Sequence, residues 1–249
     1  MFNLLKVEIY KLKTSKTLLG ILLICLLQSI LCPMLFSKTL TGKIVLIRVL
    51  GTQLFLGWFV LIAVFIAIYI GDEFSSSCSS GYIKNLISYG HRRYKIVISK
   101  FISGYLGIII ISLVTPILVT IINTFMCGYG ENFTFTSLVF VLRVIILMTF
   151  IYIGIGSIGI VMLFISRNGI FAEVAFVMVD ILNRVSMIFA MRNTFINKIY
   201  SNTIFGQVST ALSYNITLLQ GIRVIVISLI TIVISICLSI YFFNKADIK

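Results

Sequence analysis

The sequence predicts an all-α membrane protein. It is read as six transmembrane helices, an N-terminal interfacial amphipathic helix, a short cytoplasmic helix between spans two and three, and outer re-entrant or surface helices before span six. Three observations lead there. Of 249 residues, 60% are hydrophobic and 11% are charged, against roughly 25% charged in an ordinary soluble domain. So few polar groups cannot cover a water-facing surface, which excludes a soluble globular domain, a disordered chain and a coiled coil. The apolar residues form continuous Ile/Leu/Val/Phe runs, not the alternation of a membrane β-barrel. Finally, 20 Lys and Arg face 7 Asp and Glu, a net charge of +13. They are spread over short loops, as topology-setting residues are, and no nucleic-acid partner is expected.

A helix crosses the hydrocarbon core with about 20 apolar residues. Six segments meet or approach that length: Thr17–Phe36, Leu50–Ile70, Phe101–Phe125, Leu138–Ile165, Gly169–Ala190 and Arg223–Phe243. Together they make one transmembrane domain over residues 1–249. The fourth is long enough to tilt, or begins a few residues later; the fifth holds three charges. With the N-terminus inside, twelve Lys and Arg lie in cytoplasmic segments and seven outside, with Arg184 inside a span. That bias favours both termini in the cytoplasm. The first span has no small-x-small cleavage site at its end, so it reads as a retained helix and not a signal peptide. The five cysteines are scattered, three of them within spans, and read as free apolar thiols.

Before the first span, Phe2, Leu5, Ile9 and Leu12 recur at helical spacing, which predicts an amphipathic helix on the inner membrane surface. The largest inner loop, Gly71 to Ser99, reads GDEFSSSCSSGYIKNLISYGHRRYKIVIS. Two acids open it and a Ser/Gly-rich stretch follows. Residues 81–88 then form a short helix with apolar residues at 83, 86 and 87, and Gly90 offers a stop. Periodicity alone fits a helix that receives a partner and a solvated loop equally well. On the outer side, Met191 to Ile222 is too polar for a span and too apolar for a free loop. It predicts re-entrant or surface-lying helices packed on the bundle.

Gly154-Ile155-Gly156-Ser157-Ile158-Gly159 matches the dinucleotide fingerprint literally. It lacks the preceding strand that the fingerprint needs; inside an apolar span such residues let neighbouring helices approach. No G-x-x-x-x-G-K-S/T loop and no His-Glu-x-x-His pattern occurs, and the single histidine, His91, sits among loop arginines. The serines at 75–80 have no histidine beside them. The fifth span carries Glu173, Asp180 and Arg184. At about 100° per residue they fall within about 40° of one another. Asp180 and Arg184 are spaced to pair, about 16 Å along the helix from Gly169, near mid-bilayer. The stripe fits a translocation path or a conformation-sensing helix contact; the alternative is a neutralised structural ion pair.

The opening MFNLLKVEIYKLKTSKT, the loop from Gly71 to Lys100 and the six-span layout with a long outer segment before the last span resemble a type-2 ABC export permease. The resemblance covers essentially the whole chain, and the loop is its most specific part. By that resemblance Glu73 corresponds to the loop's acidic residue. Gly81, Tyr82, Ile83, Lys84, Asn85, Leu86, Ile87 and Ser88 correspond to the coupling helix that docks on the ATPase, and Arg93 and Lys100 to the basic exit. The small turn, often Gly-Thr in the family, is here Ser80-Gly81-Tyr82. The small size and the lack of a large outer domain are similar to lantibiotic-immunity and bacitracin-resistance permeases. The resemblance implies a Gram-positive cell membrane, a separate ATP-binding subunit, a second permease, identical or related, and an amphipathic or membrane-embedded substrate such as an antimicrobial peptide. Cofactors on this chain are expected to be none, with ATP and Mg on the partner ATPase. An intramembrane enzyme using Glu173, Asp180 or Glu73 as acid–base groups, and an ion-driven secondary transporter, are the alternatives. The former lacks a nucleophile or metal motif, and the latter lacks similarity between the two halves of the chain.

Overall fold

A computed structural model describes residues 2–39, 65–66, 68–72, 82–127, 135–166, 168–213 and 215–245. Every regular element among them is helical: α1 (Phe2–Thr14), α2 (Lys16–Thr39), α3 (Tyr82–Ser88), α4 (Arg93–Cys127), α5 (Phe135–Ser166), α6 (Gly169–Arg192), α7 (Thr194–Tyr200), α8 (Gln207–Leu212) and α9 (Leu218–Lys245). Residues 65–66 and 68–72 are helical too. Among the described residues four helices are long and apolar enough to cross a membrane, within α4, α5, α6 and α9, and α1 with α2 counts as a fifth if that bent pair is one span. The six expected spans are therefore matched in part. Most of the second, Leu50–Ile70, lies outside the described residues, as do Glu73, Gly81, the serines at 75–80 and most of the outer loop before α5.

The helix ends follow local chemistry. Ser15 Oγ accepts the Leu18 N–H at 3.2 Å, capping α2 where the chain bends 45° out of α1. Asn168 caps α6 through Ile170 N at 3.1 Å, and Asn193 caps α7 through Phe195 N at 2.9 Å while its own N–H closes α6 on Phe189 O at 3.1 Å. Thr217 and Gln220 form a reciprocal capping box at the start of α9, at 3.0 and 3.3 Å. The third span starts earlier than expected: α4 begins at Arg93, not Phe101. Arg93 and Lys100 thus sit on its first turns, not on a loop.

The N-terminal helix corrects the expected face. Leu4, Glu8 and Leu12 are buried, Leu5 is half-buried and Ile9 is exposed. α1 packs against α4. A carboxylate sits in the middle of its covered stripe, and an apolar-periodicity reading assigns that position outwards.

α5 is the hub, packed by α4, α6, α8 and α9. Its glycines explain why. A Cβ at Gly154 would meet Ile204 and Thr231, one at Gly156 would meet Ile108 and Ile66, and one at Gly159 would meet Phe176 and Ile70. Each small residue admits a different neighbour, so the fingerprint spacing serves helix packing. α9 contributes a buried row of Ser228, Ser235 and Ser239, with Ser157 Oγ and Ser235 Oγ 3.0 Å apart. Between α6 and α9 the outer segment folds into α7, a turn and α8. The Ile204 side chain in that turn reaches Gly154, about 18 Å from the Ser166 end of α5, while Asn202 of the same turn accepts from Arg223 near the start of α9. The Ile204 side chain thus reaches partway down the bundle.

Gly156→Val should force α4 and residue 66 away from α5 and cost about 1–3 kcal/mol, the usual range for overpacking. Gly20→Ala, where nothing lies within 4 Å of the added Cβ, should leave stability level or slightly raised. Thermal unfolding of the two variants in lipid nanodiscs checks the contrast; equal melting temperatures would remove the packing role from Gly156.

Candidate functional site

One end of the bundle gathers α1, the start of α2, residues 71–72, α3, the start of α4, the junction of α5 with α6, and the end of α9. Within it α3 is a short, firmly ended helix. Gly90 adopts φ 81°, the left-handed region open to glycine. Its N–H bonds Ile87 O at 2.9 Å and the His91 N–H bonds Leu86 O at 3.2 Å, the paired closure of a Schellman motif. Leu86 is buried and Ile87 packs on the core, while Asn85, Ser88 and Tyr89 face outwards, Tyr89 being 81% exposed. Tyr82, Ile83 and Lys84 are helical, and their side chains lie outside the described residues.

Both basic residues predicted for the exit are tied to distant parts of the chain. Lys100 Nζ and Glu8 Oε2 form an ion pair at 2.8 Å, with side chains 4% and 1% exposed. Glu8 Oε1 is buried without a hydrogen-bond partner among the described residues. Arg93 Nη1 donates to Phe243 O and Asn244 O, each at 3.0 Å, and its guanidinium lies 5.9 Å from the Phe243 ring centroid. A cation here satisfies carbonyls that the last turn of a helix leaves open and meets the negative end of the α9 dipole. Phe243 packs edge-on against Phe164, and Phe164 stacks on Phe101, at centroid distances of 5.4 and 6.3 Å. The base of α4 is thus clasped to α1 by a buried charge pair and to α9 by a capping arginine. Sequence reasoning missed Glu8 altogether; its one signal was an acid inside an otherwise basic amphipathic helix.

Next to the clasp, Thr17 Oγ1 donates to Asp72 Oδ2. Gly71 lies so close to Glu173 that a Cβ would overlap the carboxylate, and Asp72 is the charged neighbour of Glu173. Glu173 is therefore taken up at this end of the bundle and does not join the Asp180–Arg184 pair. That pair forms as the spacing predicts, Arg184 Nε to Asp180 Oδ2 at 2.9 Å, with side chains 48% and 17% exposed. Tyr200, at the end of α7, donates to Asn183 Oδ1 at 3.0 Å. Burial, and then the Asp180 carboxylate, push its phenol up from the ordinary value, so it remains a neutral donor at physiological pH. No group of His, Cys, Asp and Glu among the described residues could hold a metal ion.

Comparison with protein families, with curated proteins and with solved structures finds no match for this chain.

Removing one member of a buried ion pair strands the other, at a cost of about 3–5 kcal/mol. Glu8→Gln and Lys100→Met should each lower stability by that order. The pair Glu8→Leu with Lys100→Leu should recover most of the loss. Denaturant unfolding of the purified chain in mixed micelles measures all three, and a double variant as unstable as the singles would contradict a paired role. Gly90→Val places a β-branched side chain at positive φ, costing about 1–2 kcal/mol locally. The readout is faster protease nicking between α3 and α4.

Proposed function

We propose that this chain is the permease subunit of an ATP-binding-cassette exporter in a bacterial plasma membrane, with both termini cytoplasmic. It works with a separate ATP-binding subunit and a second permease. It moves an amphipathic or membrane-embedded substrate, such as an antimicrobial peptide, outwards. The observation that carries the proposal is the mounting of α3. A seven-residue helix is fixed by Leu86, Ile87 and the Gly90 closure, yet it presents Asn85, Ser88 and Tyr89 away from the bundle. A solvated tether needs no such anchorage; a lever that receives force does. ATP and Mg belong to the partner, since the sequence carries no phosphate-cradling Gly-Lys loop.

In this reading, closure of the ATPase displaces α3, and the displacement enters α4 at its base. The Arg93 cap passes it to α9 and the Glu8–Lys100 pair passes it to α1, and through the Ser15 bend to α2. Four helices, α4, α9, α1 and α2, then move together against α5, shifting between two packings. The outer hairpin α7–α8, with Ile204 reaching partway down the bundle, serves as a re-entrant gate at the far end.

Replacing residues 81–88 by a Gly/Ser linker should abolish co-purification with the ATP-binding subunit while leaving the chain in the membrane fraction. Normal binding and normal ATP-driven export by that variant would overturn the docking role of α3.

A further inference from the structure

Burial of Glu8 changes what α1 shows to its surroundings. Leu4, Glu8 and Leu12 are buried on the side that packs against α4. At about 100° per residue, Lys6, Tyr10 and Lys13 fall within about 60° of one another on the opposite side. All three are exposed, Tyr10 by 68%. Glu8 is the only acid of α1, and Lys100 takes up its charge inside the fold. Lys16, at the start of α2, is exposed as well. Among the described residues Lys6, Lys13 and Lys16 have no ion-pair partner. Other charges at this end are engaged internally: Arg93 turns to the α9 carbonyls, and Asp72 accepts from Thr17. The outward face of α1 is therefore cationic, with an aromatic ring among its lysines.

The depth of that face decides what covers it. α1 meets α2 at a 45° bend. Just beyond the bend Leu19, Leu23 and Leu27 are exposed. Lipid tails cover such a side of a span, and their headgroups then lie level with Lys16. At 1.5 Å per residue and a 45° bend, Lys13 and Lys6 stand about 3 Å and 11 Å from Lys16 along the α2 axis. The headgroup layer is about 5–8 Å thick on each side of the hydrocarbon, and a charge acts over about 8 Å more at physiological salt. With Leu4 and Leu12 covered by α4, the side of α1 left for the membrane is the basic one.

We propose that this face binds the anionic headgroups of the leaflet at this end of the bundle. Lys6, Lys13 and Lys16 pair with lipid phosphates, and Tyr10 lies among the headgroups as interfacial aromatics do. An acidic protein would have to displace the headgroups that already surround the end of α2. The phosphates hold the outer face of α1 while the Glu8–Lys100 pair holds its inner face. Each lysine near an anionic surface contributes roughly fivefold in binding, so three contribute roughly a hundredfold. The inference needs only that α2 enters a bilayer, so it stands or falls apart from the permease reading.

The test places the full chain in nanodiscs of phosphatidylcholine, alone or mixed with phosphatidylglycerol, and follows amide hydrogen exchange of α1. In the phosphatidylglycerol discs exchange should slow by roughly tenfold or more, and added salt should erase the difference. The triple variant Lys6→Gln, Lys13→Gln, Lys16→Gln keeps the Glu8–Lys100 pair. It should lose the lipid dependence while exchanging in phosphatidylcholine as the unaltered chain does. Equal exchange of the unaltered chain in the two discs would overturn the proposal. So would a lipid dependence that survives salt, or one that the triple variant retains. Inorganic phosphate that protects α1 equally well in phosphatidylcholine would mark a site for soluble anions. Polyglutamate that protects α1 where phosphatidylglycerol does not would mark a surface for an acidic protein. Either result overturns the lipid assignment. The salt comparison needs no variant, so it decides the matter even if the triple variant fails to accumulate.

Discussion

The molecule depends on how closely its neighbours approach α5 from different sides. In hydrocarbon no water competes for N–H and C=O groups, so each span must satisfy itself as a helix, and helix association gains little from the hydrophobic effect. Dispersion contacts and a few hydrogen bonds remain, and both need short distances. Gly154, Gly156 and Gly159 supply them to three different neighbours, and the serines of α9 fit against the same helix. With a larger side chain at these places α9, residues 65–72 and α6 would each be held off, and the Ile204 side chain would lose its seat.

The polar groups divide into two kinds. Those around the base of α4 join elements far apart in sequence. A buried pair of this sort adds little net stability over an apolar isostere, yet it penalises misplacement heavily, so it specifies where α1 must sit. The Asp180–Arg184 pair forms within one helix and stands beside Tyr200 of α7. The first kind ties distant elements together; the second stays local to α6 and α7.

Much of the architecture was legible because it is written locally. Continuous apolar runs marked the long helices; Gly90 marked the end of α3; a four-residue spacing marked the ion pair; small residues in an apolar run marked packing. What was not legible is non-local. Glu8 and Lys100 are 92 positions apart, and Arg93 and Phe243 are 150 apart. No periodicity links them. The register of α1 was misread for a related reason: the search for an apolar face pushes a carboxylate outwards, whereas Lys100 draws Glu8 in. The start of α4 was set too late because arginine and lysine look like loop residues until their acceptors are known.

The clasp at the base of α4 also has a direction in time. When Lys100 leaves the ribosome its partner already exists, so α1 can close on α4 early. Arg93 must wait until residues 243 and 244 have been made. At about 5–20 residues per second that is a delay of roughly 8–30 s before the α9 carbonyls can accept its guanidinium. The base of α4 is therefore finished in two stages, first by α1 and later by the end of α9.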